Sequence, residues 1–351
     1  MDAESREFLE SLLETPSPAG FEAAGQRVWT EYVESVADEV RTDAYGNAIA
    51  VHEGSGPTIA FAGHADEIGF MVREITDDGY LRLAPVGNSD PTVSMGQRVT
   101  IHAEEPVPGV IGQTAVHLRD ERITEPAPID EQFVDIGAAD ETAARESVSV
   151  GDPVTYRATT YDLAGTRFAA RGLDDRVGTW VAAEGLRRAV ERDVDARVVA
   201  VSTVQEELGK RGAEMVGTEL DADAVIAADV THATDSPDVP GGAQGPIALG
   251  DGPVIARGSA NHPRVVESAR EAAASAGIDN QLQATPSSTG TDADAFSLAR
   301  GGTPSLNVGL PNRYMHTPVE TIDTTDLDAA ADLLAAVARH APAFAPFAVD
   351  V

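Results

Sequence analysis

An α/β protein is predicted, built on a mostly parallel sheet flanked by helices and carrying one inserted small β domain. Three observations lead there. Continuous apolar runs such as Thr58–Ala62 read as strands buried on both faces. Runs of that kind alternate with helical stretches on either side of the middle of the chain, as strands and crossover helices do. From Phe70 to about Ala164 the alternation lapses into short β-like segments broken by G-N-S-D-P, E-P-V-P-G and E-P-A-P. The 351 residues thus divide into a main domain, 1–69 with 163–351, and an inserted β-rich domain, 70–162.

Phe8, Leu9, Leu12 and Leu13 recur at helical spacing, so a first helix covers residues 5–14 and stops at T-P-S-P-A-G. A second runs from about Glu22 to Val36. Strands near Glu39–Asp43 and Asn47–Val51 flank a turn at Gly46, and Thr58–Ala62 follows the turn G-S-G-P. Within the insertion a helix is expected near Asp140–Ser147. The strand Arg167–Ala170 then leads through R-G-L-D-D-R into a helix ending near Val190. The strand Ala196–Val204, a helix near Gly212–Thr218 and the strand Asp223–Val230 follow. Beyond the Pro/Gly-rich stretch 235–246, strands near Pro253–Ala256, Gln281–Ala284 and Thr303–Val308 alternate with helices His262–Ala276 and Asp292–Ala299. The helix Leu327–His340 closes the set.

The chain carries 58 acids against 25 bases, a net charge of -33, and its single lysine is Lys210. Such an excess repels itself in dilute buffer, but near 1 M salt the screening length falls to about 3 Å, so the composition reads as halophilic adaptation. It disfavours nucleic acid and anionic membranes, whose binding rests on Lys and Arg contacts to phosphate. No apolar run approaches the ~20 residues that span a bilayer, and the first residues lack the basic and apolar segments of a signal peptide. A soluble cytoplasmic protein is expected. There is no cysteine, which excludes disulfides, thiolate ligands and a cysteine nucleophile. Any metal site must be made of histidine and carboxylate.

The most informative stretch is V-S-T-V-Q-E-E-L-G-K-R-G-A, Val201–Ala213. Glu206 and Glu207 follow a strand and precede Gly209 and Gly212, a strand-to-loop turn of the kind where open α/β sheets put their chemistry. On a regular strand the two acids would face opposite ways, so they share a site only if the backbone leaves strand geometry between them. A solvated acidic turn is the plainer alternative. His64 and Asp66 are two apart, so Asp66 can accept the second imidazole N–H and fix its tautomer, or the histidine is merely a satisfied one. Asp174 and Asp175 can equally cap a helix N-terminus. Asp229 ends A-V-I-A-A-D and can be a turn residue, while His316 precedes a Thr-Pro that holds it in a loop.

Together His64, Asp174, Glu207, Asp229 and His316 offer two imidazoles and three carboxylates at predicted carboxyl ends of strands. That donor set suits Zn2+, Co2+ or Mn2+. It is too large for one catalytic zinc and fits two cations sharing a carboxylate, a pair that sits ~3.5–4 Å apart and brings the pKa of bound water toward ~7. Glu206 is left over to move the proton.

G-H-A-D-E-I-G, R-G-L-D-D-R, T-V-Q-E-E-L-G-K-R-G-A, A-D-V-T-H-A and R-Y-M-H-T-P-V-E, in this order, resemble the motifs of the di-metal aminopeptidases of the tetrahedral (TET), glutamyl and deblocking type. The likeness spans nearly the whole chain. It implies a phosphorylase/hydrolase-like α/β fold of the zinc-peptidase type and removal of N-terminal residues from short peptides. Two divalent cations per subunit are implied, zinc or cobalt first and manganese as an alternative. By this resemblance His64, Asp174 and Asp229 hold one cation, and Asp174, Glu207 and His316 the other. Glu206 is the general base and Asp66 the acid beside His64. The insertion is expected to mediate dimerisation, dimers to build a hollow dodecamer, Gly241-Gly242 and Thr289–Asp294 to lie near the substrate pocket, and the peptide after Asp174 to be cis. The family usually has asparagine where this chain has Asp175. A related di-metal carboxypeptidase or amidohydrolase shares the ligand pattern and stays open. A glycosidase of endoglucanase type is opposed by the adjacency of Glu206 and Glu207, since glycosidase acids sit ~5 Å or more apart across a sugar.

Overall fold

The computed structural model describes residues 1–119, 125–237, 239 and 245–351. In chain order come helices α1 (Ala3–Glu14) and α2 (Ala23–Val33) and strands β1 (Glu39–Thr42), β2 (Ala48–His52) and β3 (Thr58–His64). Strands β4 (Gly69–Ile75), β5 (Leu81–Val86), β6 (Arg98–Ile101), β7 (Val107–Ile111), β8 (Phe133–Asp135) and β9 (Pro153–Tyr156) follow, with short helices α3 (Pro91–Ser94) and α4 (Glu141–Arg145). Next are β10 (Thr160–Asp162), β11 (Arg167–Ala170), α5 (Leu173–Glu191), β12 (Arg197–Thr203), α6 (Arg211–Glu219) and β13 (Ala224–His232). The last are β14 (Val254–Arg257), α7 (Pro263–Ala276), β15 (Gln281–Ala284), α8 (Asp292–Leu298), β16 (Ser305–Asn312), β17 (Glu320–Asp323) and α9 (Thr324–His340).

The central sheet has eight strands in the order β1-β2-β12-β3-β13-β16-β14-β15. Its middle, β12-β3-β13-β16, is parallel, while β2 joins β12 and β14 joins β16 antiparallel. Alternation along the strands divides the core. Ile59, Phe61, Val198, Ala200 and Ile226 belong to one apolar cluster with Leu9, Trp29, Trp180 and Leu334 of α1, α2, α5 and α9. Ala60, Ala62, Val199 and Val201 belong to another with Ala213, Val216 and Phe296 of α6 and α8.

The middle of the sheet forks. β3 stays paired with β12 as far as His64 opposite Thr203, but with β13 only as far as Ala62 opposite Ala227. Beyond that point β13 continues beside β16 until His232 meets Asn312. A crevice therefore opens at the carboxyl ends of β3 and β13, where α/β sheets accept ligands. The start of α5 packs beneath it, backbone against backbone. A Cβ on Gly63 would strike the backbone of Gly178 and Thr179, and one on Gly178 would strike the Ala228 carbonyl and the Asp175 carboxylate. Only glycine permits that approach.

The insertion forms a closed barrel, β4-β5-β8-β7-β6-β9, around its own core of Phe70, Val72, Leu81, Leu83, Val99, Ile101, Val134 and Val154. Two features depart from the expected pattern. The strand Arg167–Ala170 joins a separate three-stranded sheet, β10-β11-β17, rather than the central one, and β17 had no counterpart in the sequence reading. Among the described residues, no helix is long and apolar enough to cross a membrane.

Candidate active site and metal centre

His64 ends β3 and is 2% exposed. Its Nε2 lies 3.2 Å from Oδ1 of Asp174, 3.9 Å from Oδ1 of Asp229 and 4.0 Å from Oε2 of Glu206. His316, in a turn at φ 64°, sets its Nε2 3.1 Å from Oδ2 of Asp174 and 3.7 Å from Oε1 of Glu207. Each oxygen of Asp174 thus faces a different imidazole. All five candidate donors converge on the crevice, with Glu206 beside them. Asp229 corrects one expectation: it is not at a strand end, because β13 runs on to His232. Pairing with β16 extends the strand past it, while the departure of β3 uncovers its side chain.

Glu206 and Glu207 reach one site because the backbone turns as soon as β12 ends. Asn47 Oδ1 accepts the N–H of Val204 at 2.9 Å, Gln205 takes a left-handed φ of 55°, and Gly209 follows at φ 104°. Asp66 then accepts the N–H of Glu206 (2.9 Å) and of Glu207 (3.0 Å), one on each carboxylate oxygen. Toward His64 the nearer acceptor is the Asp66 carbonyl, 3.1 Å from Nδ1, with its carboxylate at 3.4 Å. Either contact leaves Nε2 free to ligate. The main task of the Asp66 side chain is therefore to hold the two glutamates.

Two further acids do similar work and escaped the sequence reading. Glu320 is buried in β17; Oε2 accepts the N–H of Asp174 (3.0 Å) and Oε1 that of His316 (2.8 Å), so one carboxylate pins both segments. Glu67 is buried between Arg171 and Arg176, which bracket R-G-L-D-D-R, and accepts the Ser17 N–H at 3.0 Å. Both lay inside the quoted motifs, and only their non-local partners give them roles. Glu320→Ala is expected to weaken cation binding and activity by about 10–100-fold, the usual cost of losing a group that orients a ligand. Cation titration of the purified variant measures this; unchanged affinity would make Glu320 a bystander.

The peptide bond between Asp174 and Asp175 is cis. His64, Asp175 and Asp229 form one group of donor atoms within 4.8 Å of one another, but the two Asp175 oxygens accept the backbone N–H of His64 (3.1 Å) and of Gly178 (3.0 Å). Asp174, aimed at both imidazoles, is the better bridge. Asp174, Glu207 and His316 form the second group of donor atoms within 4.8 Å of one another. Two imidazoles among this many buried carboxylates fit divalent cations, which would balance the charge of the ionised cluster.

Without a cation the cluster holds protons. Burial first, then neighbouring carboxylates, raises Glu206 to about 7 and Glu207 to about 8, and pushes Asp229 well above its ordinary range. Burial alone would depress His316, but the hydrogen bond and charge of Asp174 outweigh it and lift the group to about 9. A carboxyl with a raised pKa stabilises the fold while protonated, and that contribution is lost as pH climbs from about 4.5 through 7 and 8. A raised imidazole contributes fully below 6.5 and loses that contribution as pH rises through about 9. Both act in the same direction. Chelator-treated protein in ~1 M salt should therefore lose on the order of 5–10 °C in Tm between mildly acidic and mildly alkaline pH, and saturating cation should remove most of that loss. A flat calorimetric profile without cation would contradict this.

A cleft of about 410 Å3 opens over the cluster. Thr289, Gly290 and Thr291 line it, while Asp294 accepts the N–H groups of Thr289 (2.9 Å) and Gly290 (3.1 Å) and so shapes that loop. Gly241-Gly242 lies outside the described residues.

Comparison with known proteins puts this architecture among the metallopeptidases. The model of the M42 glutamyl aminopeptidase family matches residues 46–333, and the chain belongs to that family. It is a peptide hydrolase of the aminopeptidase kind. The lysyl aminopeptidase of Pyrococcus furiosus is 35% identical over 329 residues, covering 92% of this chain and 93% of that one. Among solved structures, a TET aminopeptidase from a marine sediment Thaumarchaeota archaeon superposes with a TM-score of 0.90 at 30% identity over 96% of each chain. The Pyrococcus horikoshii TET1 peptidase, which can assemble into a tetrahedron or a large octahedral shell, gives 0.85 at 30% identity over 95% of this chain and 99% of that one.

Proposed function

We propose that this enzyme removes N-terminal residues from short peptides with two divalent cations and Glu206 as general base. The observation that carries the reading is Asp174, whose two oxygens face His64 and His316 at 3.2 and 3.1 Å. His64, Asp174 and Asp229 would hold one cation, and Asp174, Glu207 and His316 the other. Cations there would supply Lewis acidity, activating water and polarising the scissile carbonyl; zinc and cobalt suit the donors best, with manganese next. Glu206 takes a proton from the attacking water as its oxygen bonds to the carbonyl carbon, and returns it to the leaving nitrogen as the C–N bond breaks. Burial raises the affinity of Glu206 for a proton, as suits a base that must accept and release one. Asp66 keeps Glu206 and Glu207 in place through their N–H groups.

The assembly is proposed to be a homo-oligomer of dimers, up to a dodecamer. Exposed Val116, Leu118 and Phe133 in the inserted segment, and the shells formed by the TET1 relative, support it. The charge of -33 supports work in a salty cytoplasm.

A leucyl peptide and its N-acetylated form, assayed in high salt with zinc, cobalt or manganese, test the activity. Turnover should require the free amine. Equal cleavage of the blocked peptide would instead favour the carboxypeptidase or amidohydrolase alternative.

A further inference from the structure

Beside the cluster, one part of the cleft wall carries neutral polar side chains. Thr231 and Gln283 hold each other there: the threonine hydroxyl donates to Oε1 (3.2 Å) and accepts from Nε2 (3.0 Å). Thr291 donates its hydroxyl to Asn307 Oδ1 at 3.4 Å. Among the described residues the second Gln283 amide hydrogen has no acceptor, so it can meet a ligand. Among the described residues, no Lys or Arg lines the cleft. The stretch 238–244, D-V-P-G-G-A-Q, can bring none either. Lys210 pairs with Asp294 at 3.9 Å, and burial lowers the pKa of His232, which does line the cleft.

Resting on the aminopeptidase reading, we infer that this wall is the subsite for the substrate's first side chain, that it selects uncharged residues, and that Gln283 is its specificity-determining residue. An acidic side chain would find no cationic side chain on this wall among the described residues. A substrate carboxylate buried there without a partner keeps its desolvation cost, which rejects it more strongly than a poor fit does. A long cationic side chain finds, among the described residues lining the cleft, no carboxylate beyond Glu206 and the proposed cation ligands. Leucine, methionine and glutamine meet neutral amides, hydroxyls and the side chains of Ala284 and Met315. The chain would thus differ in preference from both the family's glutamyl name and its lysyl relative.

The test is kcat/KM of the cation-loaded enzyme on leucyl, methionyl, glutaminyl, lysyl and glutamyl p-nitroanilides. Neutral residues should exceed glutamate by about 100-fold, the order of loss when a charged group is buried without a partner. Gln283→Arg should narrow that gap at least about tenfold. Ala284→Arg, at an exposed position on the same wall, serves if the first variant does not fold. Glutamyl turnover equal to leucyl, or a ratio untouched by either arginine, overturns the assignment. Failure of every aminoacyl substrate would instead overturn the aminopeptidase reading, and this subsite with it.

Discussion

Glu206→Gln should lower kcat by about 1,000-fold while both cations stay bound. The amide keeps the size and position of the acid but cannot accept a proton from water. Nothing else in the cluster is free to replace it: Glu207, Asp229 and Asp174 all face imidazoles as ligand candidates, and the oxygens of Asp66 are committed to two backbone N–H groups. Paired measurement of turnover and of cations per chain separates the base from a ligand. Near-wild-type turnover would remove Glu206 from the mechanism, and loss of a cation would make it a ligand.

A comparably large effect is expected of Asp174→Asn. The carboxylate is held well below its ordinary range because hydrogen bonds from His316 and His64 override the cost of burial. An amide can offer one oxygen to one imidazole and turns a donating NH2 toward the other. It also removes the charge that two cations would share. The variant should bind at most one cation tightly, and activity should fall by about 1,000-fold or more. Two tightly bound cations in this variant would mean the bridge lies elsewhere, with Asp175 the next candidate.

The parts of this protein that could be read from the chain are those whose cause is local. Thr58–Ala62 announces a strand buried on both faces by composition alone, and the polar, proline-broken run after residue 70 announces a change of architecture. The five candidate donor positions, which the fold brings together, were visible as acids and histidines where apolar runs stop. What stayed hidden is long-range. Glu320 sits on a four-residue strand whose existence depends on pairing with β11, far back in the chain. Asp66 reaches across 140 residues to the N–H of Glu206, a task that looks in sequence like simple partnership with His64. Asp229 looked like a strand end because nothing local says that β16 will carry the strand onward while β3 leaves it. The left-handed Gln205, which lets adjacent glutamates share a site, has no sequence mark except the glycines that follow.

The central claim is that one carboxylate bridges two cations at the fork of the sheet. Anomalous diffraction at the metal edge from crystals grown with zinc or cobalt tests it directly. Two peaks ~3.5–4 Å apart are expected, both touching Asp174, one beside His64 and Asp229 and the other beside Glu207 and His316. A lone peak, or a pair that leaves Asp174 untouched, would contradict it.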